Sequence, residues 1–301
     1  MRVVTTLDEL AQVRAAWAGG RRVAGFVPTM GYLHAGHLSL VARARADSEQ
    51  VIASIFVNPA QFGPGEDLAR YPRDLPRDLA LLKGAGADVV FVPDVNAMYP
   101  PGFSTYVVPG GVLSERLEAA SRPGHFRGVA TVVLKLLNLV QPTRAYFGQK
   151  DAQQVAVLRR MLADLDVPVE LRVRPTVREA DGLAMSSRNA YLSLADRAAA
   201  AVLFRALGAG AETFGTGNAA GAVEAVRHTM AQVVAREPRV ALEYADICDP
   251  DSFEPLTAAR APALLAIAAR LGTTRLIDNV VLRPGHGWDL GVREHEADAP
   301  A

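Results

Sequence analysis

The sequence predicts an α/β protein: a Rossmann-like, doubly wound parallel sheet over residues 1–176, a smaller α+β domain over 177–290, and a disordered tail over 291–301. Three observations carry that expectation. Strand-like and helix-like stretches alternate through the first half. One of the strands, residues 50–57, is apolar almost without interruption, as strands buried on both faces of a parallel sheet are. Beyond Pro175 the character changes to two Ala-rich helical stretches followed by three strand-like ones.

Residues 6–17 start with a capping-box-like Thr-Leu-Asp-Glu and keep Leu7, Leu10 and Val13 at helical spacing; Gly19-Gly20 then stops the helix. Residues 22–27 form a short apolar strand, 28–37 a Gly-containing turn, and 38–46 a helix. Asn58-Pro59 ends the strand at 50–57. A helix over 75–84 and a strand over 88–92 continue the alternation. Residues 128–140 are apolar nearly all round, and thirteen residues suit a buried helix, since a membrane span needs about 20. A strand at 144–147, a helix at 153–164 and a strand at 169–173 complete the first domain, whose boundary falls near Val177. The second domain is expected to hold helices at 195–211 and 219–236, parted by Gly215-Thr-Gly217. Strands are expected at 241–247, 263–269 and 274–281.

Composition narrows the function classes. Thirty-two basic residues balance thirty-two acidic ones, so no global field recruits nucleic acid or an anionic membrane, and any anion needs a local site. Six per cent aromatics and no basic face argue against stacking on RNA. A single cysteine, Cys248, excludes an intrachain disulfide and a Cys-rich zinc site. With no signal-type apolar segment and no membrane-length run, the chain is expected to be cytoplasmic. Lysine is scarce: Lys83, Lys135 and Lys150 are the three, and arginine is the default cation.

Five segments could carry chemistry. Pro28-Thr-Met-Gly-Tyr-Leu-His34-Ala-Gly36-His37 joins a strand to a helix N-terminus, where backbone N–H groups and the helix dipole receive phosphate. Gly31 and Gly36 let the backbone approach a ligand, and His34 and His37 fall side by side on the first turn. Two such imidazoles alone are more often structural or incidental than functional, and a metal reading lacks a third ligand. Phe56-Val-Asn58-Pro-Ala-Gln61-Phe62 follows the next strand, where ligands sit in open α/β sheets. Phe147-Gly148-Gln149-Lys150-Asp151 is another strand end; Lys150 offers a point charge for phosphate and Asp151 a carboxylate for magnesium. Two hydroxyls and a guanidinium stand together in Met185-Ser186-Ser187-Arg188, just past the domain boundary. His125, opening the buried helix in Arg122-Pro-Gly-His-Phe-Arg, either binds an anion or caps that helix. Taken singly, each has an ordinary reading as an Asn-Pro turn, a surface lysine or a helix cap.

The H-x-G-H pattern resembles the signature of the nucleotidyltransferase superfamily, whose histidines stabilise charge on the transferred phosphate. Together, in this order, the segments Pro-Thr-Met-Gly-x-Leu-His-x-Gly-His, Phe-Val-Asn-Pro-x-Gln-Phe, Arg-Pro-Gly-His-Phe, Phe-Gly-x-Lys-Asp-x-Gln-Gln and Asp-Gly-Leu-Ala-Met-Ser-Ser-Arg-Asn resemble the pantothenate synthetase family over residues 1–283. The resemblance implies condensation of pantoate with β-alanine, driven by ATP with Mg2+ through a pantoyl-adenylate, in a homodimer; because Met185–Arg188 lie just past the domain boundary, the second domain is expected to be a lid over the ATP site. It implies ATP contacts from Met30, Gly31, Tyr32, Leu33, His34, Ala35, Gly36 and His37. Gly148, Gln149, Lys150, Asp151, Val177, Met185, Ser186, Ser187 and Arg188 complete the ATP site. His37 falls on the family's proton-donor position, with His34, Lys150, Ser186, Ser187 and Arg188 as its catalytic partners. Gln61 and Gln154 would hold pantoate, Gln61 would also adjoin β-alanine, and Asn58 and His125 are further substrate candidates. Asp78 and Asp151 are the magnesium candidates. The chain departs from the family's habit at Ala119, where Gly is common, at Arg77, where an acid is common, and at Gln149, where Glu is frequent. Competing expectations are another H-x-G-H nucleotidyltransferase, which leaves the Gln61 and Gln154 pair unexplained, and a non-catalytic nucleotide-binding module, which would be expected to have lost Lys150 or the Ser-Ser-Arg cluster.

Overall fold

The computed structural model describes residues 1–18, 23–215 and 221–297. Six strands form one sheet: β1 (Arg2–Val4), β2 (Ala24–Thr29), β3 (Gln50–Ile55), β4 (Val89–Phe91), β5 (Arg144–Gly148) and β6 (Glu170–Arg174). Their order is β1-β4-β3-β2-β5-β6, and every pairing is parallel. The connecting helices are α1 (Leu7–Ala18), α2 (Ala35–Asp47), α3 (Leu75–Gly84), the single turns α4 (Val95–Met98) and α5 (Glu118–Ser121), α6 (His125–Val140) and α7 (Ala152–Asp164).

Apolar residues alternate across the strands because successive side chains leave a pleated strand on opposite faces. Val27, Val51, Ala53 and Val90 meet Leu40, Val41, Ala44 and Leu82 of α2 and α3 in one core. α6, buried along most of its length, packs against β2 and α1. From β2 to β4 the chain winds outward in one direction, and β5 returns to the other side of β2, so the winding reverses between β2 and β5. β2 pairs with β3 along all six of its residues but with β5 only through Gly25 and Phe26. The sheet therefore opens at the carboxyl ends of β2 and β5, the place where doubly wound sheets receive ligands.

The other unit holds β7 (Val177–Arg178), α8 (Leu194–Ala200), α9 (Val202–Gly215), α10 (Ala222–Ala235), β8 (Val240–Cys248), β9 (Ala263–Leu271), β10 (Thr274–Arg283), β11 (Gly287–Asp289) and β12 (Val292–Arg293). β11-β10-β9-β8 is an antiparallel sheet, and β12 pairs with β7 in a separate parallel ribbon. Leu203, Leu207, Val226 and Met230 of α9 and α10 share a core with Leu265, Ile267 and Val280 of the sheet. The fold class is the one expected, a parallel doubly wound sheet with a smaller α+β unit.

Several details differ from the sequence expectation. By compactness Gln149–Ala156 goes with Pro175–Ala297, while Met1–Gly148 and Val157–Arg174 form the first unit, so one cut near Val177 does not describe the chain. The helix expected over 195–211 is two helices parted at Ala201, where no Gly or Pro marks the break. The tail expected to be disordered carries β12, and Ala297 is buried. Gly19-Gly20, most of the 215–217 separator and residues 298–301 lie outside the described residues.

Candidate active site

The loop from β2 into α2 turns through left-handed backbone at Gly31 (φ 83°) and Tyr32 (φ 49°). Asp78, 1% exposed on α3, holds that turn: its two carboxylate oxygens accept from the Tyr32 N–H at 2.7 Å and the Leu33 N–H at 2.8 Å. Asp78, expected at magnesium, is thus the loop's buried anchor, and both its oxygens face amides. Leu33, expected at ATP, puts its side chain into the core between sheet and helix. Gly31 N–H donates to Thr29 Oγ1. Ala35 and Gly36, the first residues of α2, point amides away from the helix's own carbonyls, as first-turn amides do. His34 caps α2 and His37 sits one turn in; their ring centroids are 4.1 Å apart. His37 Nδ1 accepts from the His34 N–H at 3.4 Å. In the neutral ring that assignment leaves the proton on Nε2, as a donor.

A second cluster in the same unit fixes Gln61. Pro59–Gln61 is one 3-10 turn capped by Asn58. Asn58 is 1% exposed and spends its whole amide internally. Its Nδ2 donates to Gln61 Oε1 at 3.0 Å and to the Gly128 carbonyl at 3.2 Å, and its Oδ1 accepts from Tyr99 Oη at 2.7 Å. Gln61 Nε2 donates to the Met30 sulfur, a weak acceptor, so the NH2 end of this amide is the one with capacity left for a ligand. The Gln61 carbonyl accepts from His125 Nδ1 at 2.8 Å, while His125 Nε2 takes a hydrogen bond from Arg122 at 3.1 Å. Arg122 in turn forks onto Glu66 at 2.9 and 2.7 Å. Burial and the adjacent Arg122 charge hold His125 down at about 4. Burial works to raise Glu66, but Arg122's hydrogen bond and charge outweigh it and hold the carboxyl low. His125 and Asn58, both expected to touch substrate, therefore position Gln61: their polar atoms are occupied within the protein. Glu66, Arg122 and Tyr99 went unread in the sequence, although Arg122 opens one of the recognised segments.

In the other unit the turn Gln149–Asp151 carries Lys150 into α7. Asn279, 4% exposed on β10, clamps it: Nδ2 donates to the carbonyls of Gln149 (3.0 Å) and Lys150 (2.8 Å), and Oδ1 accepts from Gln149 Nε2 at 3.2 Å. The Gln149 side chain is thereby turned inward. Lys150 Nζ lies 3.6 Å from Asp151, and Gln154 is half-buried on the first turn of α7. Past β7, the Met185 N–H donates to the Val177 carbonyl at 2.9 Å, and Val177's side chain is buried. Ser186 caps the turn Ser187–Tyr191 by accepting from the Arg188 N–H. Arg178, 1% exposed, forks onto Asp278 at 2.6 and 2.9 Å. Among the described residues no group of three or more His, Cys, Asp or Glu could hold a metal, and no helix is long and apolar enough to cross a membrane.

Comparison with known proteins shows which family carries these segments. The model of the pantoate-beta-alanine ligase family matches residues 2–281. The chain belongs to that family. It is 58% identical over 282 residues to the pantothenate synthetase of Roseiflexus sp., spanning 94% of this chain and 99% of that one. The pantothenate synthetase of Herpetosiphon aurantiacus is 56% identical over 283 residues, 94% of this chain and all of its own. Among solved structures, the pantothenate synthetase of Thermus thermophilus superposes with a TM-score of 0.89 at 52% identity, over 94% of this chain and 100% of that chain. The pantoate-beta-alanine ligase of Francisella tularensis, solved with β,γ ATP and β-alanine, gives 0.76 at 32% identity, over 93% of this chain and 97% of its own. The motif resemblance is thus a family membership.

Proposed function

We propose that this ligase joins pantoate to β-alanine in two steps, releasing pyrophosphate and then AMP, with a pantoyl-adenylate between them. The observation that carries the reading is the preorganised Gln61, whose side-chain amide is oriented by Asn58 and Tyr99 and whose main-chain carbonyl is held by His125 with Arg122 and Glu66 behind it, the NH2 end being left for a ligand. A relative crystallised with β,γ ATP and β-alanine supports it.

In the first step Gln61, with Gln154, holds pantoate while its carboxylate attacks the α-phosphorus of ATP, and pyrophosphate leaves. Such a loose, charged transition state needs alignment and cations more than covalent help. The Nε2 proton of His37, the imidazole of His34, the amides of Ala35 and Gly36, and the side chains of Lys150, Ser186, Ser187 and Arg188 supply donors for the phosphates. In the second step the neutral amine of β-alanine attacks the acyl carbon and AMP leaves, which needs positioning and exclusion of water. Asp151, exposed beside Lys150, fits a magnesium ion that arrives on ATP, because Mg2+ keeps most of its waters and takes one or two carboxylates plus phosphate oxygens. When bound it would neutralise charge on the departing pyrophosphate.

AMP formation is expected only when ATP, pantoate and β-alanine are all present, with pantothenate detected by mass. ATP–pyrophosphate exchange is expected with pantoate alone; exchange that needs β-alanine would sink the adenylate. A lid role for residues 177–290, a homodimer and a cytoplasmic setting belong to the same proposal. Small-angle scattering with and without ATP plus pantoate tests the first two, through the change in radius and the scattering mass.

A further inference from the structure

Family matching stops at residue 281, and 94% of this chain already spans the whole Thermus thermophilus relative, yet residues 284–297 are built into the fold. β11 turns back on β10, pairing Trp288 with Leu282, and the Trp288 ring meets Phe214 edge-on at 5.3 Å. Asp289 Oδ1 then accepts from the Gly291 N–H, and the chain crosses β7. Val292 N–H donates to the Thr176 carbonyl at 2.9 Å, with Val292 opposite Val177 and Arg293 opposite Arg178. Arg293 Nη1 donates to the Glu179 carbonyl at 2.7 Å, and the buried Arg178 donates through Nε to the Leu290 carbonyl.

We infer that residues 287–293 are a positioning strap for the ATP-side segment 177–188. β7 is two residues long, and β12 is its partner strand; so short a strand has little stability of its own. The segment that carries Ser186, Ser187 and Arg188 hangs from β7: Met185 N–H bonds the Val177 carbonyl, and Ala184 bridges Arg178. Pinning 176–178 from the far side thus sets where residues 185–188 begin. Gly291 is the point of closest approach. Its φ is 86°, and a Cβ there would lie 2.4 Å from the Thr176 carbonyl oxygen and 2.9 Å from Arg178 Nε. An alanine at that position is both conformationally strained and in collision with backbone.

The inference rests on the reading that 185–188 bind ATP, and its test separates the two. Gly291→Ala, Arg293→Ala and a chain ending at residue 283 are compared with the intact protein, with Arg293→Lys as the conservative variant that retains a donor for Glu179. Misplacing a binding segment by a fraction of an ångström to an ångström costs on the order of tenfold or more, so KM for ATP is expected to rise roughly tenfold in Gly291→Ala while KM for pantoate moves little. Amide hydrogen exchange across 177–188 is expected to quicken in the same variants, with Arg293→Lys closer to the intact protein than Arg293→Ala. Should the shortened chain not fold, the three point variants decide. Unchanged exchange over 177–188 together with an unchanged KM for ATP overturns the strap, even if the melting temperature falls. If the intact protein makes no AMP, the ATP reading fails, and the exchange data still judge the strap alone.

Discussion

Asp78 illustrates how a residue's surroundings override its type. A carboxylate beside a phosphate-type loop suggests a cation ligand, but here both oxygens accept from backbone amides of that loop and the side chain is buried. Asp78→Asn replaces one acceptor with a donor that faces an N–H. Leaving a buried donor without its acceptor costs about 1–3 kcal/mol, so the variant is expected to lose that much in denaturant unfolding. ATP–pyrophosphate exchange should fall with the displaced loop, while the magnesium concentration for half-maximal rate stays where it was. A several-fold shift in that concentration with stability unchanged would restore the ligand role. The place of His34 and His37 on the first turn of α2, and of Gln61 and Lys150 on the turns that follow strands, was legible because short local patterns define it. Asn58 and His125 were legible as important but not as positioners, because their partners, Tyr99, Gly128, Arg122 and the Gln61 carbonyl, are set by tertiary contacts. Asn279 lay inside a recognised stretch, but its grip on the turn 130 residues upstream could not be read from spacing.

At the scale of elements, α6 was legible from its all-round apolar composition, and what it does for the site was not. It crosses the 3-10 turn Pro59–Gln61 so closely that a Cβ on Gly128 would lie 2.1 Å from the Ala60 carbonyl oxygen and 2.6 Å from Gln61 Cα. Both neighbours are backbone, so the turn must move or the helix must. Overpacking of this kind costs typically about 1–3 kcal/mol. Gly128→Ala is therefore expected to fold less stably and to lose roughly a hundredfold in kcat/KM for pantoate, since a shift near 1 Å at a positioning group has that effect. Steady-state kinetics against pantoate and ATP check it; a variant with intact pantoate kinetics would mean that Gln61's placement does not depend on this crossing. The α8–α9 break was illegible for a different reason: alanine is the strongest helix former, so local propensity runs one helix straight through Ala201.

Stability against pH belongs to the whole molecule, and the buried groups fix its limits. Folding holds His125 at about 4 against an ordinary 6.5, through burial first and the Arg122 charge second. Between those values the unfolded chain binds the proton that the folded chain refuses, so His125's contribution is complete above 6.5 and is lost as pH falls towards 4. Glu66, Asp181 and Asp249 are also held below their ordinary values, so their contributions persist above those values and disappear in stronger acid. Tyr99 has the opposite sign: burial and neighbouring Tyr106 push it to about 12 from 10.0, so its contribution is complete below 10 and is lost as pH rises towards 12. Tyr146 is raised as well. Through these groups, unfolding free energy from denaturant titration is thus expected to fall below about pH 6.5 and again above about 10. His125→Asn removes the first part of the acid limb, and Tyr99→Phe shallows the alkaline limb, although each variant also loses the hydrogen bond its ring makes. Because those losses are independent of pH, slopes rather than absolute values decide: an acid limb of unchanged slope between 6.5 and 4 in His125→Asn would mean that other groups carry it, and that His125 is not held neutral between Arg122 and the Gln61 carbonyl.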